Sequence, residues 1–371
     1  MPSYRVPVFR RLHEELGVVV CHSPEMEDKV KLSGDDQMDF PSERIPGNYL
    51  FGRKSLINQR VFTVLRKHRP KVVIAQFSLG VLTFWKLLLL RPFFGYKLIP
   101  WSHGIRNRDM VLTATSGHFA IVPVIYRLAD VALFYSQARR DRIVRNTPAL
   151  ASKCFVASNT LDTKALQAAR AEASEETERP FTMLYLGRLL STKRLDLILE
   201  VHSILSNRHR VRLVFIGDGP EREGIANRNN PDIILTGAIH DTNISALYLK
   251  NADVMIMPGY VGLGIVHGFA FGLPMITCRS TEQGPFHSPE IEYLKDGENG
   301  FLCDSDPADI AAHIERLILD PDLLARMKEN ALRTVREEAS IDRLVDGFRQ
   351  AIEYVLDREE VKGLRSKEGE N

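Results

Sequence analysis

Short hydrophobic runs alternate with longer amphipathic segments along most of the chain. The runs have the length of buried strands, and the segments between them repeat apolar residues with the period of a helix. The predicted strands of the N-terminal half are 17–21, 72–76, 97–100, 131–135 and 153–156, and those of the C-terminal half are 182–186, 211–217, 233–235 and 254–257. Strands that alternate with helices predict parallel sheets covered on both faces, an α/β fold of the doubly wound type.

The helices predicted between these strands follow the same alternation. They are 6–15, 56–67, 79–90, 119–128 and 136–146 in the first half, and 195–206, 221–228, 244–250, 265–271, 307–319, 321–338 and 341–357 in the second. Residues 23–48 are polar and contain prolines, so we expect a loop there. The last dozen residues are charged, and we expect them to be frayed.

The length of 371 residues exceeds what one hydrophobic core usually supports, which predicts two domains. The acidic, proline-ending segment 171–180 is the best linker candidate. We therefore predict an N-terminal domain at 1–170, a C-terminal domain at 171–340, and a helix in 341–371 that packs back toward the N-terminal domain and ends in a frayed tail. The chain opens on the loop after the place where a doubly wound domain has its central strand. We expect that a first strand of roughly ten residues is missing through a late start, or that another segment replaces it.

Composition indicates a globular protein of a reducing compartment, which we predict to be cytoplasmic. Hydrophobic residues make up 44% and charged residues 26% of the chain. The four cysteines are scattered without metal-like spacing, which argues against disulfides and a zinc site. The longest apolar stretch, 81–90, is interrupted by Lys86 and is too short to span a bilayer.

Charge is distributed unevenly along the chain. Residues 1–170 hold 26 Lys and Arg against 13 Asp and Glu, whereas residues 171–371 hold 23 against 34. This asymmetry suggests that the first half meets an anionic phospholipid surface or a phosphate-bearing acceptor, and no nucleic acid is expected. Basic helices 6–15 and 136–146, with Phe93 and Phe94, would form a peripheral membrane surface. The alternatives are two domains that merely differ in surface chemistry, and a 79–90 helix that is simply core.

A glycine-rich stretch, VMIMPGYVGLGIVHGFAFGLPMI, spans residues 254–276. It predicts a strand, a glycine turn, a short helix and a second strand. Gly259, Gly262 and Gly264 would let a ligand approach the backbone, next to the unpaired N–H groups of a helix start. This arrangement suits a phosphate, although a tight strand-to-helix connection without ligand would give the same pattern.

A second cluster follows the strand 182–186. Gly187 and Arg188 come directly after it, and Lys193 lies five residues beyond Arg188. Open α/β sheets bind ligands at the carboxyl ends of their strands, and a guanidinium with an ammonium group suits a diphosphate. The turn Asp218-Gly219-Pro220 is expected to be only a turn. Residues 236–239 lie at the same edge and could offer backbone groups to a base.

Motifs in this order resemble the retaining family 4 glycosyltransferases of GT-B fold (glycosyl transferases group 1). The motifs are YLGRLLSTKRLDLIL, VFIGDGPEREGI, GAIHDTNISALYLKNADVMIMPGYVGLG, HGFAFGLPMIT and SPEIEYLKDGENGFLCD, which lie within residues 184–304. The N-terminal half is similar more loosely, through PSYRVPVFRRL, WSHG at 101–104 and FVASNTLDT at 155–163. The resemblance implies two Rossmann-like domains facing across a cleft, with the nucleotide-sugar donor mainly on the C-terminal one.

The resemblance also implies roles for individual residues. Arg188 and Lys193, next to Gly187, would hold the donor diphosphate, and the backbone of Gly262, Leu263 and Gly264 would meet the same phosphates. Main chain at Gly237, Ala238 and Ile239 would contact the base. His103 would face the donor sugar near the reacting carbon, although a histidine at a strand end is more often structural.

The chain departs from the family at two glutamates that usually stand eight residues apart. Counted back from Gly272, these positions hold Gly259 and His267. His267 could still bind a ribose hydroxyl as a neutral imidazole, while Gly259 can contact the sugar only through its backbone. Glu290 and Glu292 are the nearest carboxylates in a matching motif, or they are simply acids at a helix start.

The resulting expectation is a hexosyl-type transferase that retains the anomeric configuration and acts on a glycan or lipid-linked acceptor. No DxD motif stands at a strand end, and Asp35-Asp36 lies in a polar loop, so we expect no bound metal and no cofactor besides the donor substrate. The alternatives are another GT-B nucleotide-sugar enzyme, such as an epimerase, and a degenerate member that only binds.

Overall fold

The computed structural model describes residues 3–23, 38–49, 57–111 and 117–368. Asp35-Asp36 lies outside these ranges. The chain divides into two compact units, residues 1–159 with 341–371 (unit 1) and residues 160–340 (unit 2). The boundary between the units lies at residues 159/160, earlier than the predicted domain boundary at 170/171. Residues 160 and 161 belong to unit 2 because Thr160 Oγ1 donates to the Ala339 carbonyl and Leu161 joins the unit 2 core.

Unit 1 begins with helix and short strands. Its elements up to residue 159 are α1 Val6–Leu16, β1 Val20–His22, β2 Ser42–Arg44, β3 Gly47–Tyr49, β4 Ile57–Gln59, α2 Phe62–His68, β5 Val72–Gln76, α3 Leu82–Phe94, β6 Lys97–Ser102, α4 Asn107–Val111, α5 Gly117–Leu128, β7 Ala132–Phe134, α6 Gln137–Asn146 and β8 Cys154–Val156. Strands β5-β6-β7-β8 form a parallel sheet in that order.

The entry into unit 1 differs from the prediction at several points. Residues 3–5 form a 3-10 turn, and β1 pairs with β2 in a separate parallel pair. The predicted loop 23–48 contains β2, and the predicted helix 56–67 opens as strand β4, which pairs with β3. Two hydrogen bonds from the backbone of β4 hold this conformation: Ile57 N donates to Gly80 O at 3.1 Å, and Gln59 N donates to the Thr83 side-chain Oγ1 at 2.9 Å.

Unit 2 is built around one six-stranded parallel sheet. Its elements are α7 Thr163–Glu172, β9 Phe181–Leu186, α8 Leu195–Ser206, β10 Val211–Ile216, α9 Arg222–Ala226, β11 Ile233–Gly237, α10 Thr242–Lys250, β12 Val254–Ile256, α11 Gly264–Ala270, β13 Met275–Cys278, β14 Gly300–Cys303, α12 Pro307–Leu319 and α13 Pro321–Glu337. The strand order is β11-β10-β9-β12-β13-β14. Because β9 and β12 are neighbours, the loops that follow them meet at the carboxyl edge of the sheet.

A buried charge network lies at the amino end of β12. Asp253 is 6% exposed and accepts hydrogen bonds from Arg179, from Lys328 Nζ at 2.9 Å and from Thr182 N at 2.9 Å. Burial raises the pKa of Asp253, but the Arg179 hydrogen bonds and the Lys328 charge outweigh it and hold the pKa below its ordinary value. The network fixes the start of the central strands.

The last helix, α14 Ile341–Glu368, completes unit 1. Its backbone approaches β8 so closely that a Cβ on Gly347 would lie 2.0 Å from Val156 O. Phe348 packs edge-on against Trp101, with ring centroids 4.9 Å apart. The helix continues eleven residues beyond the predicted end at 357, in place of the predicted frayed segment. In the part of the chain that the structure describes, no helix is long and apolar enough to cross a bilayer.

Candidate donor site

The loop after β9 presents Arg188 at the carboxyl edge of the unit 2 sheet. Tyr185 Oη donates to Arg188 O at 2.9 Å, and Leu189 N donates to Asp218 O at 2.9 Å, so the backbone on both sides of Arg188 is held. The Arg188 side chain is exposed and forms no ion pair with any residue that the structure describes. Its guanidinium is therefore available to an anion from solvent.

The turn after β10 packs directly on this loop. A Cβ on Gly217 would lie 1.8 Å from Gly187 O, and a Cβ on Gly219 would lie 2.3 Å from Leu189 O, both closer than real Cβ atoms come. The Asp218-Gly219-Pro220 segment is thus more than the simple turn predicted from sequence. Gly217 and Gly219 allow the loops after β9 and β10 to lie backbone against backbone, which holds the main chain on both sides of Arg188.

Lys193 reaches from this loop to the glycine-rich loop after β12. Its Nζ donates to Tyr260 O at 2.6 Å and lies 4.8 Å from the centroid of the Tyr260 ring. Burial lowers the pKa of Lys193 below its ordinary value. The structure therefore brings Lys193 to the 258–263 loop, as the diphosphate interpretation requires.

The 258–263 loop offers backbone donors. Among the described residues, none accepts a hydrogen bond from the N–H groups of Gly262, Leu263 or Gly264. Helix α11 begins at Gly264, so these groups lie at its start. Three neighbouring N–H groups without a protein acceptor can bind an anionic oxygen.

Two residues that the sequence analysis passed over hold this loop in place. Val261 N donates to His287 Nδ1 at 3.2 Å, and Ser288 N donates to Val261 O at 2.9 Å. Ser288 Oγ and Tyr260 Oη lie 2.5 Å apart and are hydrogen-bonded. His287 directly precedes the SPEIE motif and Ser288 opens it, but no local pattern indicates their contact with the 258–263 loop.

Gly259 is buried against the turn that carries Lys193. A Cβ at position 259 would lie 2.6 Å from both Cα and C of Lys193 and 2.6 Å from Thr192 O. No side chain is therefore accommodated where the resemblance implies a glutamate.

His267 and Glu290 lie behind the glycine-rich loop. His267 is half-buried in α11, and burial lowers its pKa to about 4, which a hydrogen bond to Leu263 partly opposes. The ring is neutral near pH 7, as ribose binding would need. Glu290 is 4% exposed in the 3-10 turn Pro289–Tyr293 and belongs to the interior, while Glu292 is half-buried in the same turn.

The predicted base-binding residues lie two strands away from Arg188. Gly237 ends β11 with φ at 77°, a left-handed conformation that favours glycine, and its carbonyl accepts from Gly217 N at 2.9 Å. Ala238 is exposed, and Ile239 packs against the unit 2 core. These residues share the carboxyl edge with Arg188 and Lys193.

His103, in unit 1, directly follows β6. Its ring lies at 42° to that of Tyr135 with centroids 4.7 Å apart, and the residue is exposed. The surrounding protein, with the positive charges of Arg139 and Arg5, lowers the pKa of His103 to about 4. The imidazole is therefore neutral near pH 7 and sits in a cationic environment.

Solved glycosyltransferase structures share this architecture. A glycosyltransferase from Rickettsia africae ESF-5 matches with a TM-score of 0.69 and 15% identity over 95% of this chain and 94% of that one. Anabaena Alr3699/HepE in complex with UDP matches with a TM-score of 0.62 and 14% identity over 86% and 88%. The fold is GT-B, with two Rossmann-like domains, as the sequence predicted.

The sequence comparisons point to the same class. Residues 167–334, nearly all of unit 2, match the family model described as Glycosyl transferases group 1. Sulfoquinovosyl transferase SQD2 of Arabidopsis thaliana is 25% identical over 325 residues, which cover 83% of this chain and 60% of that protein. The chain spans about half the length of the curated relatives it matches, 48% to 60% for three of them. Residues 167–334 are thus similar to group 1 glycosyltransferases, and the chain as a whole shares the GT-B fold.

Proposed function

We propose that the protein transfers a hexosyl-type sugar from a nucleotide-diphosphate donor to a glycan or lipid-linked acceptor, with retention of anomeric configuration. The observation that carries this proposal is the convergence on one sheet edge of Arg188, Lys193 and the three N–H groups at 262–264. Two cations and several amides without a protein acceptor suit a diphosphate better than a neutral ligand.

The chemistry assigned to these groups is stabilisation of the leaving group. When the bond from the anomeric carbon to the diphosphate oxygen breaks, negative charge grows on that oxygen. The Arg188 guanidinium, the Lys193 ammonium and the backbone amides would stabilise it. Loss of one preorganised donor of this kind costs roughly 3 kcal/mol of transition-state stabilisation. We propose that these cationic groups act without a bound metal ion and that the donor is a substrate, with no further cofactor.

Retention and the sugar-side contacts rest on the resemblance to family 4. In that reading the acceptor attacks from the face that the leaving group occupies, and His103 contacts the donor sugar as a neutral imidazole. His267 would bind the ribose through a ring nitrogen. Because Gly259 has no side chain, recognition of the sugar must use other groups, and Glu290 is the carboxylate we assign to it.

We further propose action at the cytoplasmic face of a membrane, in surface polysaccharide or glycan synthesis. Residues 51–100 carry ten Lys and Arg and no Asp or Glu. On α3, Phe93 is 83% exposed and Leu89 is 72% exposed. Arg91 Nη1 donates to Leu128 O at 2.9 Å, which joins the end of α3 to Leu128, another exposed leucine, on α5. An apolar patch amid positive charge suits the headgroup region of anionic lipids.

Gly259 favours one second candidate, a degenerate member that binds nucleotide sugars without transferring them. A thermal-shift screen with UDP, GDP and ADP and their sugars tests the donor site, because a ligand at a hundred times its Kd stabilises by about 2.7 kcal/mol. Absence of stabilisation by every compound would overturn the proposal. Product analysis then separates transfer from epimerisation and from binding alone, since only transfer consumes an acceptor.

A further inference from the structure

His287 lies between the glycine-rich loop and the end of strand β13. Its Nδ1 accepts the Val261 N–H at 3.2 Å, and its Nε2 lies 2.8 Å from the Cys278 carbonyl oxygen. A carbonyl can only accept, so Nε2 carries the proton and Nδ1 does not. The two bonds together select one neutral tautomer of the ring.

Both bonds are made in the interior. His287 is 6% exposed, and Val261 and Cys278 are fully buried. Water cannot replace either partner, and a buried donor that loses its acceptor is costly. The ring therefore ties the backbone at Val261 to the sheet, next to Gly262, whose N–H has no acceptor in the part of the chain that the structure describes.

We infer that His287 is a positioning residue, whose neutral imidazole holds the 261–264 backbone in the conformation that binds the donor diphosphate. This inference rests on the proposed function for the identity of the ligand. His287 acts through Val261 and takes no part in the transfer itself. Adding a proton to Nδ1 would place two N–H donors against each other and release Val261.

The electrostatics around the ring are consistent with this role. Burial lowers the pKa of His287, and the positive charge of Lys193 lowers it further, against a hydrogen bond to Cys278. Lys193 is the charged group that faces the ring from the β9 loop. A cation at Lys193 thus helps to keep His287 neutral while the same cation reaches the glycine-rich loop.

Two substitutions separate the two bonds of the ring. Asn at position 287 places its amide oxygen near the position of Nδ1, so His287→Asn can keep an acceptor for the Val261 N–H. Gln places its amide nitrogen near the position of Nε2, so His287→Gln can keep only the donor to Cys278. Pyrophosphate is the probe, because it presents the diphosphate without a base or a sugar.

The expected result is that His287→Gln weakens pyrophosphate binding at least about tenfold, whereas His287→Asn stays within about threefold of the parent protein at pH 7.5. Because burial and the charge of Lys193 lower the pKa of His287 below its ordinary 6.5, the ratio of parent to His287→Asn affinity should be constant near neutral pH and should fall only where the ring of the folded parent protein takes up a proton. His202→Gln, at a buried histidine of α8 remote from the loop, is the control and should leave affinity unchanged.

Nitrogen-15 NMR of the His287 ring gives a readout that needs no ligand. An Nδ1–H tautomer at pH 7.5, or equal pyrophosphate affinity in the Gln and Asn variants, would overturn the inference. If the Nε2–H tautomer is found but neither pyrophosphate nor any nucleoside diphosphate binds the parent protein, the proposed donor site fails and the positioning role fails with it. Binding of UDP, GDP or ADP that is insensitive to both substitutions overturns the positioning role alone.

Discussion

The backbone of Lys193 occupies the space that a side chain at position 259 would need. A Cβ added to Gly259 would stand 2.6 Å from Lys193 Cα, and Lys193 Nζ bonds to Tyr260 O one residue further on. The two loops that carry the proposed diphosphate site thus pack against each other at Gly259, where only a residue without a side chain fits. A glutamate at this position, as the resemblance implies, would require a different path for residues 191–193.

We predict that Gly259→Ala separates the two loops. The substitution should lower the free energy of unfolding by about 1–3 kcal/mol, as overpacking does, and should reduce stabilisation by nucleoside diphosphates. Gly224→Ala is the matched control, since a Cβ there meets nothing within 4 Å, and it should be neutral or stabilising by up to about 1 kcal/mol. Equal denaturation midpoints and equal ligand responses in both variants would contradict the packing described.

The proposed role of Arg188 predicts a loss of function without a loss of stability. Because its side chain is exposed and unpaired among the described residues, Arg188→Ala should leave the thermal midpoint of the ligand-free protein nearly unchanged. Sugar transfer should fall about 10²–10³-fold, and Lys193→Ala should behave similarly. Arg228→Ala, at another exposed arginine of unit 2, serves as the control. Normal transfer by both variants would remove the phosphate assignment.

The neutral histidines predict a dependence of stability on pH. His267 has a pKa of about 4 in the folded protein against an ordinary 6.5, so the unfolded chain binds a proton more readily. The contribution of neutral His267 to the free energy of unfolding is complete above pH 6.5 and is lost as the pH falls toward 4. At pH 5 the loss is about 2 kcal/mol. Chemical denaturation at pH 7.5 and 5 should show this, and His267→Asn should flatten the difference. An unchanged slope in the variant would disprove the assignment.

Asp253 predicts a large effect far from the candidate site. Asp253→Asn leaves Arg179 and Lys328, whose side chains are 16% and 31% exposed, without their charge partner, and should destabilise by about 3 kcal/mol, the lower end of the range for a buried pair. Asp304→Asn is the comparison, since the Asp304 side chain is 80% exposed and should change stability little. Urea denaturation of both variants measures the difference, and similar midpoints would show that the network contributes little.

The membrane proposal predicts that exposed apolar residues of unit 1 matter for lipid binding. Phe93→Ala and Leu89→Ala should each weaken co-sedimentation with phosphatidylserine-containing vesicles by about tenfold, in proportion to the apolar surface lost. Leu319→Ala, at a leucine 69% exposed in unit 2, should have no effect. Binding should also weaken as salt rises, and binding that is indifferent to salt would exclude the electrostatic part.

Much of the fold could be read from hydrophobic runs, because strands of parallel sheets are buried on both faces. The bounds of β5 Val72–Gln76 and α8 Leu195–Ser206 agree with the sequence prediction residue for residue. Strands β3 and β4 were missed because the position of β4 depends on bonds to the Gly80 carbonyl and the Thr83 hydroxyl, which no local pattern encodes. The same hydrophobic runs show where the strands end, and the ends of the strands place Arg188 and Lys193 at one edge of the sheet.

The site could be predicted only where its chemistry has a sequence pattern. Glycine turns and paired cations have such a pattern, whereas the contact of His287 with Val261 depends on how two loops meet. The reason for glycine at position 259 was likewise invisible, since Lys193 is 66 residues away in the chain. His103 follows its strand as predicted, and its role stays a prediction.

Because helix α14 belongs to unit 1 but follows unit 2 in the chain, the two units are completed at different points of synthesis. Unit 2 is one continuous stretch, residues 160–340, so all of its residues are made before the first residue of α14. Unit 1 must wait for Leu344, Val345 and Phe348, which fill its core. The core of unit 1 can therefore be completed only after the whole of unit 2 has been made, although most of unit 1 precedes unit 2 in the chain.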